Sequence, residues 1–233
     1  HLIIKGKSDI LYVPTTVLNE YNFANPTVVS MHDLQHIHHP ENFTLLQLMW
    51  RKANFDSTIK YANFYQASSE FQKNDLLENY KSLSDNQIRI IRDGVDIDLF
   101  NNNQEKSIDL FQKYKIPNKF IFLPAQLWPH KDHITVLKAL RIIEEKHVIN
   151  LPLVMTGGKF SATKSVFKFI KDNDMKNVFY LGKIPFEDIV SLYKNAHIFV
   201  TAVYYVNSSL PIIESCAAST PVIASKIPPN EEL

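Results

Sequence analysis

Glycine and cysteine are both scarce in this sequence. Only five glycines occur in 233 residues, whereas average usage of about 7% would give about 16. Glycine-rich phosphate loops are therefore few, and because no G-x-G-x-x-G occurs, a nicotinamide-dependent dehydrogenase is disfavoured. The single cysteine, Cys216, cannot form an internal disulfide, which predicts a reducing compartment.

An excess of one charge and a long apolar run are missing as well. Lys plus Arg number 25 against 24 Asp plus Glu, and the formal charge of +1 argues against nucleic acid as a partner. No apolar run approaches about 18 residues and no signal peptide opens the chain, so we predict a soluble, cytoplasmic protein. The first residue is His1 rather than Met, and the chain stops at PPNEEL directly after PVIAS, which predicts a fragment.

Short apolar segments alternate with amphipathic segments of helical period along the chain. Strands that are apolar throughout are typical of parallel strands with helices on both faces, so the pattern predicts a doubly wound α/β fold. The polar run NNNQEKS, residues 101–107, interrupts the alternation and predicts a linker. We therefore expect two Rossmann-like domains, at residues 1–100 and 105–233.

The individual elements follow from the same pattern. Nine strands are predicted, in DILYVP, PTVVSM, NFYQAS, QIRIIR, KFIFLPA, LPLVMTG, NVFYLG, HIFVTA and PVIAS. Helices are predicted near residues 43–60, 69–80, 134–147, 162–173, 186–195 and 210–218. In an open parallel sheet ligands bind beyond the carboxyl ends of the strands, so the residues that follow each strand are the candidate site.

Four of the nine histidines lie in the segment HDLQHIHH, which follows a predicted strand. His32 and His36 have the i, i+4 spacing of a zinc-binding helix, but Pro40 follows too soon for a long helix. For His36, His38 and His39 we favour a polar loop with solvated imidazoles, with zinc as the alternative. His32 comes directly after the strand and is predicted to face the ligand.

A second metal signal is the D-x-D formed by Asp96 and Asp98. Such a pair holds a divalent metal with a diphosphate in other transferases. Here it lies in a turn that leads to the predicted linker, which favours a structural role. We expect neither a metal ion nor another cofactor.

Three polar residues lie close together after the fifth strand: Gln126, His130 and Lys131. Lys131 precedes a predicted helix, where unpaired backbone N–H groups and the helix dipole favour negative charge. We therefore predict that Lys131 binds an anionic group, with a solvated surface lysine as the alternative.

The segment NSSLPIIES predicts a helix start that binds a ligand. Ser208 and Ser209 can cap the helix, and Pro211 suits its first turn. Glu214 lies about one turn further on and could accept hydrogen bonds from vicinal hydroxyls, as acidic residues do with ribose in nucleotide-binding folds. The alternative is a glutamate that complements the helix dipole.

Seven ordered segments together resemble the retaining glycosyltransferases of family 4, also called group 1. The resemblance runs from about residue 28 to residue 225, through HDLQHIHHPENF, ASSEFQKNDLLENY, IRIIRDGVDIDLF, PAQLWPHKDHITVLKAL, LPLVMTGG, NVFYLGKIPFEDIVSLYKNA and LPIIESCAASTPVIAS. It implies the GT-B fold of two Rossmann-like domains and a nucleotide-sugar donor. It also implies that the amino-terminal strand and the final helices of such an enzyme are missing from the chain.

The same resemblance implies roles for individual residues. Lys131 would bind the donor diphosphate, Glu214 the ribose hydroxyls, and His32 would lie on the acceptor side near the reacting sugar, so these three form the expected catalytic set. The remaining expected donor contacts are Gln126, the backbone of Ser208, Ser209 and Leu210, and, for the base, Thr156, Gly157, Gly158, Lys183 and Ile184.

Three departures from the family pattern affect these expectations. Val206 stands where the family has the first glutamate of an E-x7-E pair, which contacts the donor sugar. Gln126 replaces a basic residue that binds the diphosphate. Asn207 and Ser209 replace glycines of the loop before the last helix.

The resemblance implies transfer of a hexose-type sugar, with retention, from a nucleoside diphosphate to a hydroxyl of a glycan or lipid-linked acceptor. The setting would be cell-surface polysaccharide assembly, in the cytoplasm or in peripheral association with the inner face of the membrane. One alternative stays open because of Val206 and Gln126: a degenerate protein that binds a nucleotide or glycan without turnover. A third class also stays open, a GT-B sugar-nucleotide epimerase, which would hydrolyse or invert a donor without an acceptor.

Overall fold

A computed structural model describes residues 9–18, 25–101, 107–147, 149 and 151–233 of the chain. Within these ranges nine strands form two wholly parallel sheets, as the sequence predicts. The strands are β1 Leu11–Val13, β2 Thr27–Ser30, β3 Phe64–Ala67, β4 Ile88–Ile90, β5 Ile121–Pro124, β6 Leu153–Thr156, β7 Val178–Gly182, β8 Ile198–Thr201 and β9 Val222–Ala224.

The six predicted helices are all present, and four shorter ones accompany them among the described residues. In chain order they are α1 Gln35–His38, α2 Leu45–Tyr61, α3 Glu70–Asn79, α4 Ile97–Asn101, α5 Ser107–Tyr114, α6 His133–His147, α7 Thr163–Asp172, α8 Phe186–Asn195, α9 Leu210–Ala217 and α10 Pro228–Glu231. Of the predicted linker, residues 102–106 lie outside the described ranges.

Two compact units make up the described chain. One holds the residues up to Asp93 together with Val206–Ser208 and Glu232, and the other holds Gly94–Tyr205, Ser209–Glu231 and Leu233. The predicted domain limits of 1–100 and 105–233 stay predictions.

The first unit contains a four-stranded sheet in the order β1-β2-β3-β4. Its core is formed by strand residues such as Val29 and Tyr65, neither of which is exposed at all, and by Phe55 from α2. Helix α2 begins where Thr44 and Gln47 form a capping box, in which each side chain accepts a hydrogen bond from the other residue's backbone N–H. This start fixes the helix that covers the sheet.

The second unit has a five-stranded sheet in the order β7-β6-β5-β8-β9. Phe122 and Phe199 belong to one apolar layer with α8 and α9, and Leu123 and Met155 belong to another with α6 and α7. In the sheet, β6 lies beside β5 and β7 lies beside β6, whereas the next strand in the chain, β8, lies on the opposite side of β5. Between β5 and β8 the direction of winding reverses, which is where open α/β sheets bind their ligands.

Candidate functional site

Lys131 follows β5, at the last position of a 3₁₀ turn from Pro129 to Lys131. Its side chain is partly buried, and burial lowers the pKa of the Lys131 amine below its ordinary value of 10.5. Among the described residues its ammonium group has no hydrogen-bond or ion-pair partner. A buried cation without a partner is costly, so an anion that reached Lys131 would be stabilised.

The helix start beside Lys131 differs from the expectation that unpaired backbone N–H groups and the helix dipole favour an anion there together with the lysine. Helix α6 begins at His133, and Asp132 precedes it with a φ of 42°. The Asp132 carboxylate accepts hydrogen bonds from the Thr135 backbone N–H at 3.2 Å and the Thr135 hydroxyl at 2.6 Å. The helix thus carries a negative cap of its own, which leaves Lys131 as the main attraction for an anion at this loop.

The loops after β5 and β8 lie side by side at the point where the winding reverses. The Tyr204 backbone N–H donates to the His130 carbonyl oxygen at 3.1 Å. This bond joins the two loops that begin on either side of the ligand-binding position of the sheet. His130, next to Lys131, and Tyr204 of the loop after β8 are therefore neighbours, although they are 74 residues apart in the chain.

Gln126 and Trp128 form a further part of the loop after β5. The Gln126 side chain is exposed, and its Oε1 accepts a hydrogen bond from Trp128 Nε1 at 3.1 Å. The Trp128 ring stacks on Phe160, with centroids 4.0 Å apart and planes inclined by 17°. The sequence had not singled out this aromatic pair, since the two residues lie on different loops.

Gly157 and Gly158, after β6, pack tightly against the neighbouring loops. Gly157 has a φ of +126°, and a Cβ added there would lie 2.5 Å from the Ala125 carbonyl oxygen. A Cβ on Gly158 would lie 2.8 Å from Cε of Lys183 and 2.9 Å from the Phe160 ring. The position of Gly157 therefore requires glycine, whereas at Gly158 the flexible end of Lys183 and the Phe160 ring would have to shift. The close approach at Gly158 brings the β6 loop to Lys183.

Two other predicted base contacts differ in what they offer a ligand. Thr156 is buried, and its hydroxyl oxygen has no hydrogen-bond partner among the described residues. Because that oxygen has no accessible surface either, the Thr156 hydroxyl offers no contact to a ligand at the surface. Ile184 instead packs against the apolar layer of α8, so only its backbone is suited to a polar contact.

Helix α9 begins at Leu210 with Pro211 in its first turn, as expected. The predicted capping by Ser208 and Ser209 is wrong, because Ser209 occupies the cap position but its side chain makes no capping hydrogen bond. The backbone of Ser209 has a φ of −104°, which requires no glycine. The backbone N–H groups of this first turn consequently have no side-chain cap from Ser209.

Glu214 is held by a residue that the sequence did not reveal. The Tyr193 hydroxyl donates to Glu214 Oε2 at 2.8 Å, and the Tyr193 side chain has no exposed surface. Burial raises the pKa of the Glu214 carboxyl above 4.5, and the hydrogen bond from Tyr193 opposes that shift. Because Tyr193 orients one carboxylate oxygen, Glu214 can offer its other oxygen to a ligand hydroxyl.

His32 lies directly after β2 in the first unit and is exposed. Its Nε2 lies 2.9 Å from the Pro14 carbonyl oxygen, and its backbone N–H donates to the Thr16 hydroxyl at 2.9 Å. Asn207, which clusters with the same unit, donates from Nδ2 to the His32 carbonyl oxygen at 2.7 Å. The Asn207 side chain therefore fixes the position of the His32 backbone. The glycine that the family pattern has at this position could not form this bond, because it has no side chain.

The other histidines occupy separate environments. His36 is only 8% exposed and packs edge-on against Phe55, so the prediction of a solvated imidazole is wrong for this residue. His38 pairs with Asp75 at 2.7 Å, and His39 with Glu41 at 2.9 Å. Within the described ranges no group of three or more His, Cys, Asp or Glu side chains is arranged to hold a metal ion.

Asp96 of the D-x-D accepts a hydrogen bond from the Asp98 backbone N–H at 3.0 Å. This local bond stabilises the turn before α4 and gives the pair a structural role.

Taken with the sheet order, these loops define a doubly wound α/β protein of the Rossmann-like class. Lys131, the glycine loop and Glu214 follow strands of the second sheet, at the edge where this class binds nucleotides. The family model described as "Glycosyl transferases group 1" matches residues 100–233. The chain belongs to the group 1 glycosyltransferase family.

Curated relatives agree with that assignment. The chain is 24% identical over 206 residues to the O-antigen chain mannosyltransferase RfbU of Salmonella typhimurium, covering 88% of this chain and 53% of that protein. It is 21% identical over 177 residues to a D-inositol 3-phosphate glycosyltransferase of Corynebacterium glutamicum, covering 72% and 42%. The chain thus spans about half the length of the curated relatives it matches.

Solved structures show the same fold. The Anabaena protein Alr3699/HepE, crystallised in complex with UDP-glucose, superposes with a TM-score of 0.77 at 18% identity, covering 96% of this chain and 61% of that one. The glycosyltransferase WaaG, involved in lipopolysaccharide biosynthesis, gives 0.72 at 16% identity, covering 95% and 60%. These neighbours confirm the predicted GT-B fold.

Proposed function

We propose that the chain contributes to a retaining transferase that moves a hexose from a nucleoside-diphosphate sugar to a hydroxyl of a glycan or lipid-linked acceptor. The observation that carries the proposal is the ammonium group of Lys131, partly buried and without a partner among the described residues, at the switch point of the second sheet. UDP-glucose in the HepE structure and the O-antigen mannosyltransferases among the relatives support a sugar donor and a glycan acceptor.

The donor diphosphate is the proposed partner of Lys131. In the transfer step the acceptor oxygen bonds to the anomeric carbon while the bond from that carbon to the diphosphate breaks, and the acceptor proton passes to a diphosphate oxygen. With retention, the attack comes on the face that the diphosphate leaves. Negative charge grows on the leaving group, so Lys131 and the backbone N–H groups of Ser209 and Leu210 would stabilise the transition state more than the ground state.

The nucleoside half of the donor is assigned to the other loops. Glu214, oriented by Tyr193, would accept hydrogen bonds from the ribose hydroxyls. The loop Thr156–Gly158 and Lys183 would contact the base. Gln126 would add a neutral contact where the family pattern has a cation.

One residue, His32, is assigned to the acceptor side. His32 is proposed as the acceptor-side residue from its exposed place after β2. No helix among the described residues is long and apolar enough to cross a membrane. Peripheral attachment to the inner face of the membrane is supported by four exposed apolar side chains on the first turns of α2, namely Leu45, Leu46, Met49 and Trp50. Sedimentation of the protein with anionic lipid vesicles tests this attachment.

The alternative of binding without transfer rests on two residues. Val206 cannot hydrogen-bond a sugar hydroxyl, and the amide of Gln126 already accepts from Trp128. Either change would weaken stabilisation of the transferred sugar and leaving group more than nucleotide binding.

A donor screen with analysis of the product separates these functions. The full-length transferase to which the chain is proposed to contribute is incubated with UDP-, GDP- and dTDP-hexoses and an oligosaccharide acceptor, and NMR identifies the anomer formed. We expect transfer with the donor's configuration kept, and a changed donor profile for Val206→Glu if residue 206 contacts the sugar. Inversion, or conversion of the donor without an acceptor, would refute the proposal, and nucleotide binding without product would establish the alternative.

A further inference from the structure

Trp128 lies in the loop after β5, between two residues of the proposed donor site. The Trp128 backbone N–H donates to the Gln126 carbonyl oxygen at 2.7 Å, and the Lys131 backbone N–H donates to the Trp128 carbonyl oxygen at 3.1 Å. These bonds make the loop compact and keep Gln126 and Lys131 at the same edge of the second sheet. None of the roles proposed above involves the Trp128 side chain.

The Trp128 ring is held in place by its packing. It stacks on Phe160, with ring centroids 4.0 Å apart and planes inclined by 17°. The Phe160 ring lies over Gly158, where an added Cβ would be 2.9 Å from it. The Leu127 backbone N–H donates to the Gly158 carbonyl oxygen at 3.0 Å and joins the two loops. The direction in which the indole N–H points is therefore fixed by the fold.

This indole N–H determines how the amide of Gln126 is oriented. Trp128 Nε1 can only donate, so it bonds to the amide oxygen of Gln126, at 3.1 Å, and not to the amide nitrogen. A rotation of the amide by half a turn would lose this bond. Gln126 is exposed, and its Nε2 has no hydrogen-bond partner among the residues that the structure describes. Two N–H donors of Gln126 therefore remain for a ligand.

A fixed amide suits an anion better than a mobile one. A glutamine that rotates freely turns its carbonyl oxygen towards a phosphate part of the time, and two acceptors repel each other there. Ordering the side chain on binding also costs conformational entropy. The bond from Trp128 removes both penalties before the ligand arrives, and Lys131 supplies the positive charge that the amide lacks.

We propose that Trp128 is a positioning residue, which holds the amide of Gln126 so that Nε2 donates hydrogen bonds to the oxygens of the donor diphosphate. This inference rests on the proposed function, because the ligand is the diphosphate assigned there to Lys131. It deepens that function by naming how a neutral side chain takes the place of a cation.

Calorimetry with the whole chain tests this role, using UDP and GDP as ligands and uridine and guanosine as nucleosides without phosphate. Trp128→Phe keeps a ring to stack on Phe160 and removes the indole N–H. It should weaken diphosphate binding by about threefold and leave the nucleosides unchanged. In a Gln126→Ala background the same change should have no further effect, because the amide that Trp128 orients is absent.

Gln126→Glu provides a second variant, at an exposed position. One carboxylate oxygen still accepts from Trp128, and the other replaces the amide N–H groups with a negative charge. Diphosphate binding should weaken by about thirtyfold or more. Gln112→Glu adds the same charge at an exposed position on α5 and should bind as the wild type does.

The inference is wrong if Trp128→Phe weakens binding by the same factor with and without Gln126, since a merely structural tryptophan would behave in that way. It is also wrong if Gln126→Glu and Gln112→Glu behave alike. If either result appears while Lys131→Met still weakens diphosphate binding, only the inference fails. Absence of any nucleotide binding by the wild type would overturn both the proposed function and the inference.

Discussion

Replacing Tyr193 by Phe removes one hydroxyl from the second unit and leaves the ring in place. That hydroxyl donates to Glu214 Oε2 at 2.8 Å, from a side chain with no exposed surface. A hydrogen bond to a charged group contributes about 1.5–3 kcal/mol, against about 0.5–1.5 kcal/mol for a neutral pair. Glu214 is partly exposed and water replaces part of the lost bond, so we expect Tyr193→Phe to cost about 1.5 kcal/mol at pH 7.

The loss of unfolding free energy caused by Tyr193→Phe should become smaller as the solution becomes acidic. Burial already raises the pKa of Glu214 above 4.5, and loss of the Tyr193 bond raises it further. A carboxyl group with a raised pKa binds its proton more tightly folded than unfolded, so its ionisation destabilises the fold as pH rises through the unfolded value. Well below the unfolded value of 4.5 the carboxyl is mostly neutral in both states, and the loss caused by Tyr193→Phe should approach about 0.5 kcal/mol.

Urea unfolding at about pH 7 and about pH 4 measures both values. Tyr180→Phe is the matched control, because its hydroxyl donates to the Gly157 carbonyl oxygen at 2.7 Å and that acceptor does not titrate. The loss of unfolding free energy caused by Tyr180→Phe should be equal at the two pH values. A Tyr193→Phe cost that is likewise independent of pH would refute the assignment of a charged hydrogen bond to Glu214.

Two further substitutions test the loops after β5 and β6. Lys131→Met should weaken nucleoside diphosphate binding by about tenfold or more while the nucleoside itself binds nearly as before; equal losses for both ligands by calorimetry would indicate a structural lysine. Gly157→Ala should cost more than about 2 kcal/mol, because its φ of +126° is strained and the Ala125 oxygen lies 2.5 Å from the new Cβ. Gly94→Ala, with nothing within 4 Å, should change stability by less than about 1 kcal/mol, and a similar loss for both variants in urea unfolding would contradict the close approach.

Sequence periodicity was sufficient to locate the strands and the longer helices. Segments such as LPLVMTG are apolar because β6 is buried throughout, and that signal is local. The strand ends in turn indicated Lys131 and Glu214, since ligands bind beyond the carboxyl ends of parallel strands.

Contacts between distant segments were not predictable in the same way. Tyr193 lies 21 residues before Glu214, and Trp128 lies 32 residues before Phe160, so no spacing rule relates either pair. The prediction of a solvated His36 was wrong for the same reason, because the burial of this side chain depends on Phe55 from another helix. Such pairs are determined by tertiary packing.

The proposed nucleotide site is tested most directly by a calorimetric double-mutant cycle on Glu214. Wild type and Glu214→Gln are titrated with UDP and with 2′-deoxy-UDP, and Glu187→Gln, an exposed change on α8, serves as the control. If Glu214 binds the ribose, Glu214→Gln should weaken UDP binding by about 1–3 kcal/mol, or about 5- to 150-fold, and weaken the deoxy compound much less. Equal losses for the two nucleotides, or no loss with either, would contradict the assignment of Glu214 to the ribose.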